Sequence, residues 1–242
     1  MTAEMLPFDI TYEEFFVAPA FALASPSVGN VGVLKALYDS LHSRYAILSK
    51  DMRVAGGNSL SEVLVTIELF NGNGLIEVSV DKVRIVFRGI SNQADREVAK
   101  DCVELVQRSL VEVLNVEFGW VSFNINSRYR LVEPTPTVSE HLRELFGPRL
   151  SELGKTNDGK IAERVGLIYE YECTEEGWDL VFHASRSRDN DRELSVFAIG
   201  KFSNSKVAPT LADKVLRIDQ AFDAFFERAN IEFPKAKETE PC

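Results

Sequence analysis

The stretch GWDLVFHAS, residues 177–185, holds an aspartate, a histidine and a serine at alternate positions. As a strand it puts Asp179, Val181, His183 and Ser185 on one face and Trp178, Leu180, Phe182 and Ala184 on the other. Those three polar types are the ingredients of nucleophilic catalysis. That chemistry needs the serine activated by the histidine, the histidine oriented by the acid, and an oxyanion site beside them. Asp179 and His183 stand four residues apart, about 13 Å along a strand, so no local triad can form. No G-x-S-x-G elbow occurs elsewhere in the chain. The residues read as an outward polar sheet face.

Other candidate chemistries fail on spacing. GKT at 154–156 has the ending of a phosphate loop, but Arg149 stands where the motif needs glycine, and Gly147-Pro148 lies two positions early. GKTNDGK reads as a connecting loop. RDNDRE at 188–193 alternates Asp189, Asp191 and Glu193 without the turn glycine and later bidentate glutamate of a calcium loop, so it reads as a solvated turn. His42 and His141 are single helical histidines without companions at metal spacing, and surface or boundary positions are expected for both. Trp120 and Trp178 read as core or boundary aromatics. Cys102, Cys173 and Cys242 are odd in number, far apart and lack a CxxC, which signals neither zinc nor a redox pair. No catalytic residue, metal or cofactor is assigned.

Composition bounds the partners. The 242 residues are 45% hydrophobic and carry a formal charge of −10, which excludes disorder for the body of the chain and disfavours phosphate backbones and anionic membranes. The N-terminus has no basic region followed by an apolar core, and no run of about 18 apolar residues occurs. A reducing cytoplasm is the expected location.

The elements that position these residues follow from periodicity. LVTIELFNGNGLIEVSV, residues 64–80, alternates apolar and polar residues on both sides of NGNG. A strand follows the glycines rather than a helix, so NGNG is a hairpin turn and not an anion loop. Val63, Val65, Ile67 and Leu69 share one face, as do Ile76, Val78 and Val80, then Val83, Ile85 and Phe87. A helix with Leu34, Leu37, Tyr38, Leu41 and Tyr45 on one stripe precedes them. Another follows to about Leu114, capped by Asn92 with Asp95, with Val98, Cys102, Leu105, Ser109 and Val113 at helical spacing. The second half repeats the order. Thr137 and Glu140 form a capping box before Leu142, Leu145 and Phe146, and Gly147-Pro148 ends that helix. Strands at about 164–173, 177–186 and 192–202 come next. A helix over 209–229 closes the chain, with Leu211, Val215, Ile218, Phe222 and Phe225 on its stripe. Further strands are expected to open each half, around 14–23 and 116–126.

The prediction is an α+β protein of two similar α-β-β-β-α halves, forming antiparallel sheet with helices packed on one face. The sheet is either continuous or two layers face to face. The halves span residues 1–132 and 133–233, joined at EPTPT, and residues 234–242 form a mobile tail. The α-β-β-β-α order is similar to that of double-stranded-RNA-binding domains, to the saddle of TATA-binding proteins and to small acidic secretion chaperones. The first two imply a basic surface, whereas SNQADREVAKD and SKVAPTLADK are mixed in charge. Order alone carries no function.

One feature points to a partner. Ile168, Val181, Phe197 and Ile199 interrupt the polar face that carries His183, forming an apolar band rimmed by charge, with a weaker counterpart in Leu64, Phe70 and Val86. Ile168, Val181, His183, Phe197 and Ile199 are therefore the expected contact residues of a non-catalytic, chaperone- or adaptor-like binding protein. Its partner would be another polypeptide or a second copy in a dimer, rather than nucleic acid or membrane. The alternative is an enzyme or small-ligand receptor with a pocket at His183, drawing on Glu170 or Glu193.

Overall fold

The alternation in LPFDITYEEFFVAPAF and in FGWVSFNINSRYRL makes two long strands, β1 (Leu6–Phe21) and β6 (Phe118–Leu131). They pair antiparallel along nearly their whole length, from Phe8 opposite Leu131 to Phe21 opposite Phe118. The computed structural model describes residues 6–56, 59, 62–132, 136–146, 166–173, 177–203, 217, 220, 224–227 and 231–232. Among these, β1 is followed by α1 (Val31–Tyr45), then β2 (Met52–Ala55), β3 (Leu64–Leu69), β4 (Gly74–Ser79), β5 (Val83–Arg88) and α2 (Gln93–Leu114). After β6 come α3 (Val138–Phe146), β7 (Gly166–Cys173), β8 (Trp178–Arg186), β9 (Glu193–Ser203) and the short β10 (Ile231–Glu232). The protein is a mixed α+β structure built on a large antiparallel sheet with few helices.

The sheet is continuous, in the order β2-β3-β4-β5-β1-β6-β9-β8-β7, and β10 adds a parallel bridge beside the start of β1. The alternative of two layers face to face is set aside by this order. The register aligns one buried face across the sheet. Ile67, Ile76, Ile85 and Val17 continue into Phe123, and Phe87 and Phe15 into Ile125 and Ala198. Leu37 and Leu41 of α1, Val103, Val106 and Leu110 of α2, and Val138 and Leu142 of α3 join the same core. Phe225 and Phe226 pack their rings on Phe182 and Tyr129 of that face. Burial of each large apolar side chain contributes on the order of 2 kcal/mol, so this layer dominates the stability.

Local chemistry sets the element ends. Asn92 Oδ1 accepts the Asp95 N–H at 2.9 Å, starting α2. Thr137 and Glu140 make the expected reciprocal cap on α3, and those hydrogen bonds, the Thr137 backbone N–H first, hold the Glu140 carboxyl below its usual range. NGNG is a turn: Asn71 and Gly72 take positive φ between β3 and β4, the geometry that Asn and Gly tolerate.

Several expectations need correction. The edge strand β2 was not anticipated, because four residues are too short to declare a period. Val80 lies beyond the end of β4. On α2 the expected Cys102 and Ser109 are buried and Leu105 packs on the core, but the buried face is completed by Ala99, Val103, Val106 and Leu110, while Val98 and Val113 are exposed. The stripe is thus rotated from the one read off the sequence, since two overlapping apolar stripes compete on this helix and packing on the sheet selects one. His141 is buried rather than at the surface. The tail 234–242, most of the helix over 209–229, Gly147-Pro148, GKTNDGK and residues 133–135 of the joint lie outside the described residues.

Candidate functional site: the open face of the sheet

The register that buries one face sends the alternate residues to the other, where no described helix lies. A row of residues crosses it from β4 to β8: Leu75, Val86, Phe16, Asn124, Ile199 and Val181, each directly opposite the next, with Val86 buried among its neighbours at 1% exposure. A second row holds Arg88, Glu14, Asn126, Phe197, His183 and Ile168. All five expected contact residues thus fall in two neighbouring rows on β7, β8 and β9. Ile168 is 64% and Ile199 44% exposed, while Val181, His183 and Phe197 are half-buried among them. The counterpart expected in the first half is corrected. Phe70 turns to the helix side, where its ring meets Tyr45 and Phe87, because it sits in the turn after β3 and not within the strand. Phe16 of β1 takes its place.

Charge on this face is largely paired within it. Arg84 binds Glu77 at 2.8 Å, Arg88 binds Glu14 at 3.2 Å, Arg53 binds Glu68 at 3.2 Å and Arg130 binds Glu193 at 2.8 Å. Exposed pairs of this kind contribute little stability, within about 1 kcal/mol each. Their effect is to neutralise the rim. Cations also lie over rings: Lys201 Nζ 4.9 Å from Trp120, Arg84, besides its bond to Glu77, 5.6 Å from Phe16, and Arg128 6.0 Å from Tyr12. Burial, then the Glu14 carboxylate that accepts its hydroxyl at 3.0 Å, raises the Tyr12 phenol above its ordinary value.

Asn124 is the polar member of the apolar row. Its Oδ1 is buried and has no hydrogen-bond partner. A carbonyl left so is costly, by about 1–3 kcal/mol.

Of the acids near His183 on this face, Glu193 and Asp179 are engaged elsewhere and Glu170 is its diagonal neighbour. Glu193 lies four residues along β9 from Phe197, the register partner of His183, so about 13 Å away, and its carboxylate is taken by Arg130. Asp179 Oδ1 accepts the Lys201 backbone N–H at 2.9 Å. Glu170 sits diagonally across from His183 on β7. Gly166 leaves the imidazole room: a Cβ there would lie 3.3 Å from His183 Nε2. Among the described residues, grooves of about 320–380 Å³ lie at the helix layer and the β3–β4 turn, and His183 lines none of these. No group of three or more metal-ligating side chains is found among the described residues, and no described helix is long and apolar enough to cross a membrane.

Sequence reasoning found the β7–β9 portion of this face and missed its centre. Phe16, Trp120, Asn124 and Arg128 belong to β1 and β6, whose alternation was legible but whose pairing was not. The polar alternation Ser122, Asn124, Asn126, Arg128 in a strand whose other face is apolar except for Ser127 was the available signal. No protein-family model matches the chain, and comparison with curated proteins finds no match.

Proposed function

We propose that this chain is a non-catalytic, chaperone- or adaptor-like binding protein of the cytoplasm that engages a polypeptide through the open face of its sheet. The observation that carries the reading is the apolar row from Leu75 to Val181, flanked by self-neutralised charge. Apolar surface of this extent with a polar rim is the composition of a contact surface. The reading of two similar halves, 1–132 and 133–233, is kept as part of the proposal. Outward from the β1–β6 pair the strands run β5, β4, β3 on one side and β9, β8, β7 on the other, and this order supports it. The test is Phe197→Asp combined with Ile199→Asp, compared with the wild type by pull-down and by sedimentation, with circular dichroism to check the fold. Loss of a captured polypeptide or of associated mass is expected. Unchanged partners and unchanged mass in a folded variant would remove the proposal.

A further inference from the structure

We propose that the occupant of the open face is a second copy of this chain, packed face to face about a two-fold axis that passes close to Asn124. The inference rests on the docking-face reading and names its partner. Three observations carry it.

The first is Asn124 itself. Its orphaned Oδ1 lies within the apolar row, between Phe16 and Ile199. A carboxamide holds both a donor and an acceptor, so two copies of one asparagine related by a two-fold satisfy each other reciprocally, as a buried asparagine pair does in a coiled coil. A rotation about χ2 turns Oδ1 toward the partner without moving the backbone.

The second is the composition of the row on either side. With the axis along the strands at Asn124, Phe16 of one copy meets Ile199 of the other on both sides of the axis, and Val181 lies over Val86, which is already buried in the single chain. Apolar residues thus face apolar residues in both directions, in the aligned geometry of packed sheets.

The third is charge and area. A chain with a formal charge of −10 repels its own copies. On this face Glu14, Glu68, Glu77 and Glu193 each hold an arginine, so like faces approach without a field of one sign. Eight strands from β3 to β7 span roughly 34 Å, and six residues of height add roughly 20 Å, giving about 700 Å² per copy. That is close to the ~800 Å² per partner of a standard stable interface.

The test is sedimentation and light scattering of the full chain at tens of micromolar, with circular dichroism on every variant. The wild type is expected at twice the 27.1 kDa of one chain. Asn124→Asp places two unpaired like charges together and is expected to raise the dissociation constant by about a hundredfold or more. Asn124→Leu removes the orphaned carbonyl and is expected to keep the dimer. Ile199→Asp, at a position with no place in the core, serves as the second disrupting variant should Asn124→Asp not fold. A monomeric wild type would overturn self-pairing alone, leaving the docking face to the Phe197 and Ile199 capture test. A dimer that survives both Asp substitutions would overturn it by placing the copy on another surface.

Discussion

Glu13 is a carboxylate only 1% exposed, set in the helix-covered face of β1. A bulge puts it there. The register slips between Ile10 and Tyr12, so the buried positions change from Phe8 and Ile10 to Glu13, Phe15 and Val17. Its oxygens accept from Arg96 Nε at 2.9 Å, from Arg96 Nη2, from Ser127 Oγ at 2.9 Å and from Tyr129 Oη at 3.3 Å. The cluster ties α2 to β1 and β6. It is saturated by its own neighbours, which is the mark of a structural tie rather than of a reactive group. Glu13→Ala removes the buried carboxylate that Arg96, Ser127 and Tyr129 share and is expected to cost about 3–5 kcal/mol, read from urea unfolding. An unchanged midpoint would refute the tie. Cys102 gives a second residue-scale prediction. Burial pushes its thiol from an ordinary 9.0 up to about 12. Between those values the unfolded chain loses the proton and the folded one keeps it. Stability from this group is therefore present below about pH 9 and falls as pH rises toward 12, at up to about 1.4 kcal/mol per pH unit. Tyr45 and Tyr129, raised chiefly by burial, act with the same sign. The unfolding midpoint measured from about pH 8 to about pH 10.5 should fall less steeply in Cys102→Ala than in the wild type.

At the scale of the element, α2 and β9 show what sequence discloses and what it withholds. The caps at Asn92 and Thr137, the NGNG turn and the three strands of the second half were legible, because each depends on residues within four positions of one another. The buried face of α2 was legible only in part, at Cys102, Leu105 and Ser109, since Val98 and Val113 fit a helical stripe as well as Val103 and Val106 do. Only the sheet beneath distinguishes them. Val106→Ala is therefore expected to cost about 2 kcal/mol, whereas Val98→Ala should stay within about 0.5 kcal/mol. The reverse ranking in denaturant melts would show the helix rotated. On β9, Gly200 lies opposite Phe123, and a Cβ there would meet Asp179 O and the Phe123 ring at 2.5 Å. Gly200→Ala is expected to lose about 1–3 kcal/mol by forcing that ring from its site. A neutral effect would mean that both the Asp179 carbonyl and the Phe123 ring move aside without cost.

At the scale of the molecule, the decisive feature is the pairing of β1 with β6, strands far apart in the chain. Alternation predicts that each has one apolar face. It does not predict which strand lies beside which, and hence not that Phe16, Asn124 and Ile199 stand in one row. The contact residues on β7, β8 and β9 were accessible to sequence reasoning because hairpins join those strands. The centre of the face was not, because its neighbours are set by long-range register. The two tryptophans divide between the faces: Trp120 is on the open one beneath Lys201, and Trp178 stacks on Phe202 of the buried one. The most direct measurement of the account is therefore the emission of Trp120 in Trp178→Phe protein, followed from dilute to concentrated solution, with Ile199→Asp as the paired control. The account predicts a shift to shorter wavelength as copies pair and the indole leaves water, absent in Ile199→Asp. An emission maximum independent of concentration and indifferent to Ile199→Asp would contradict it.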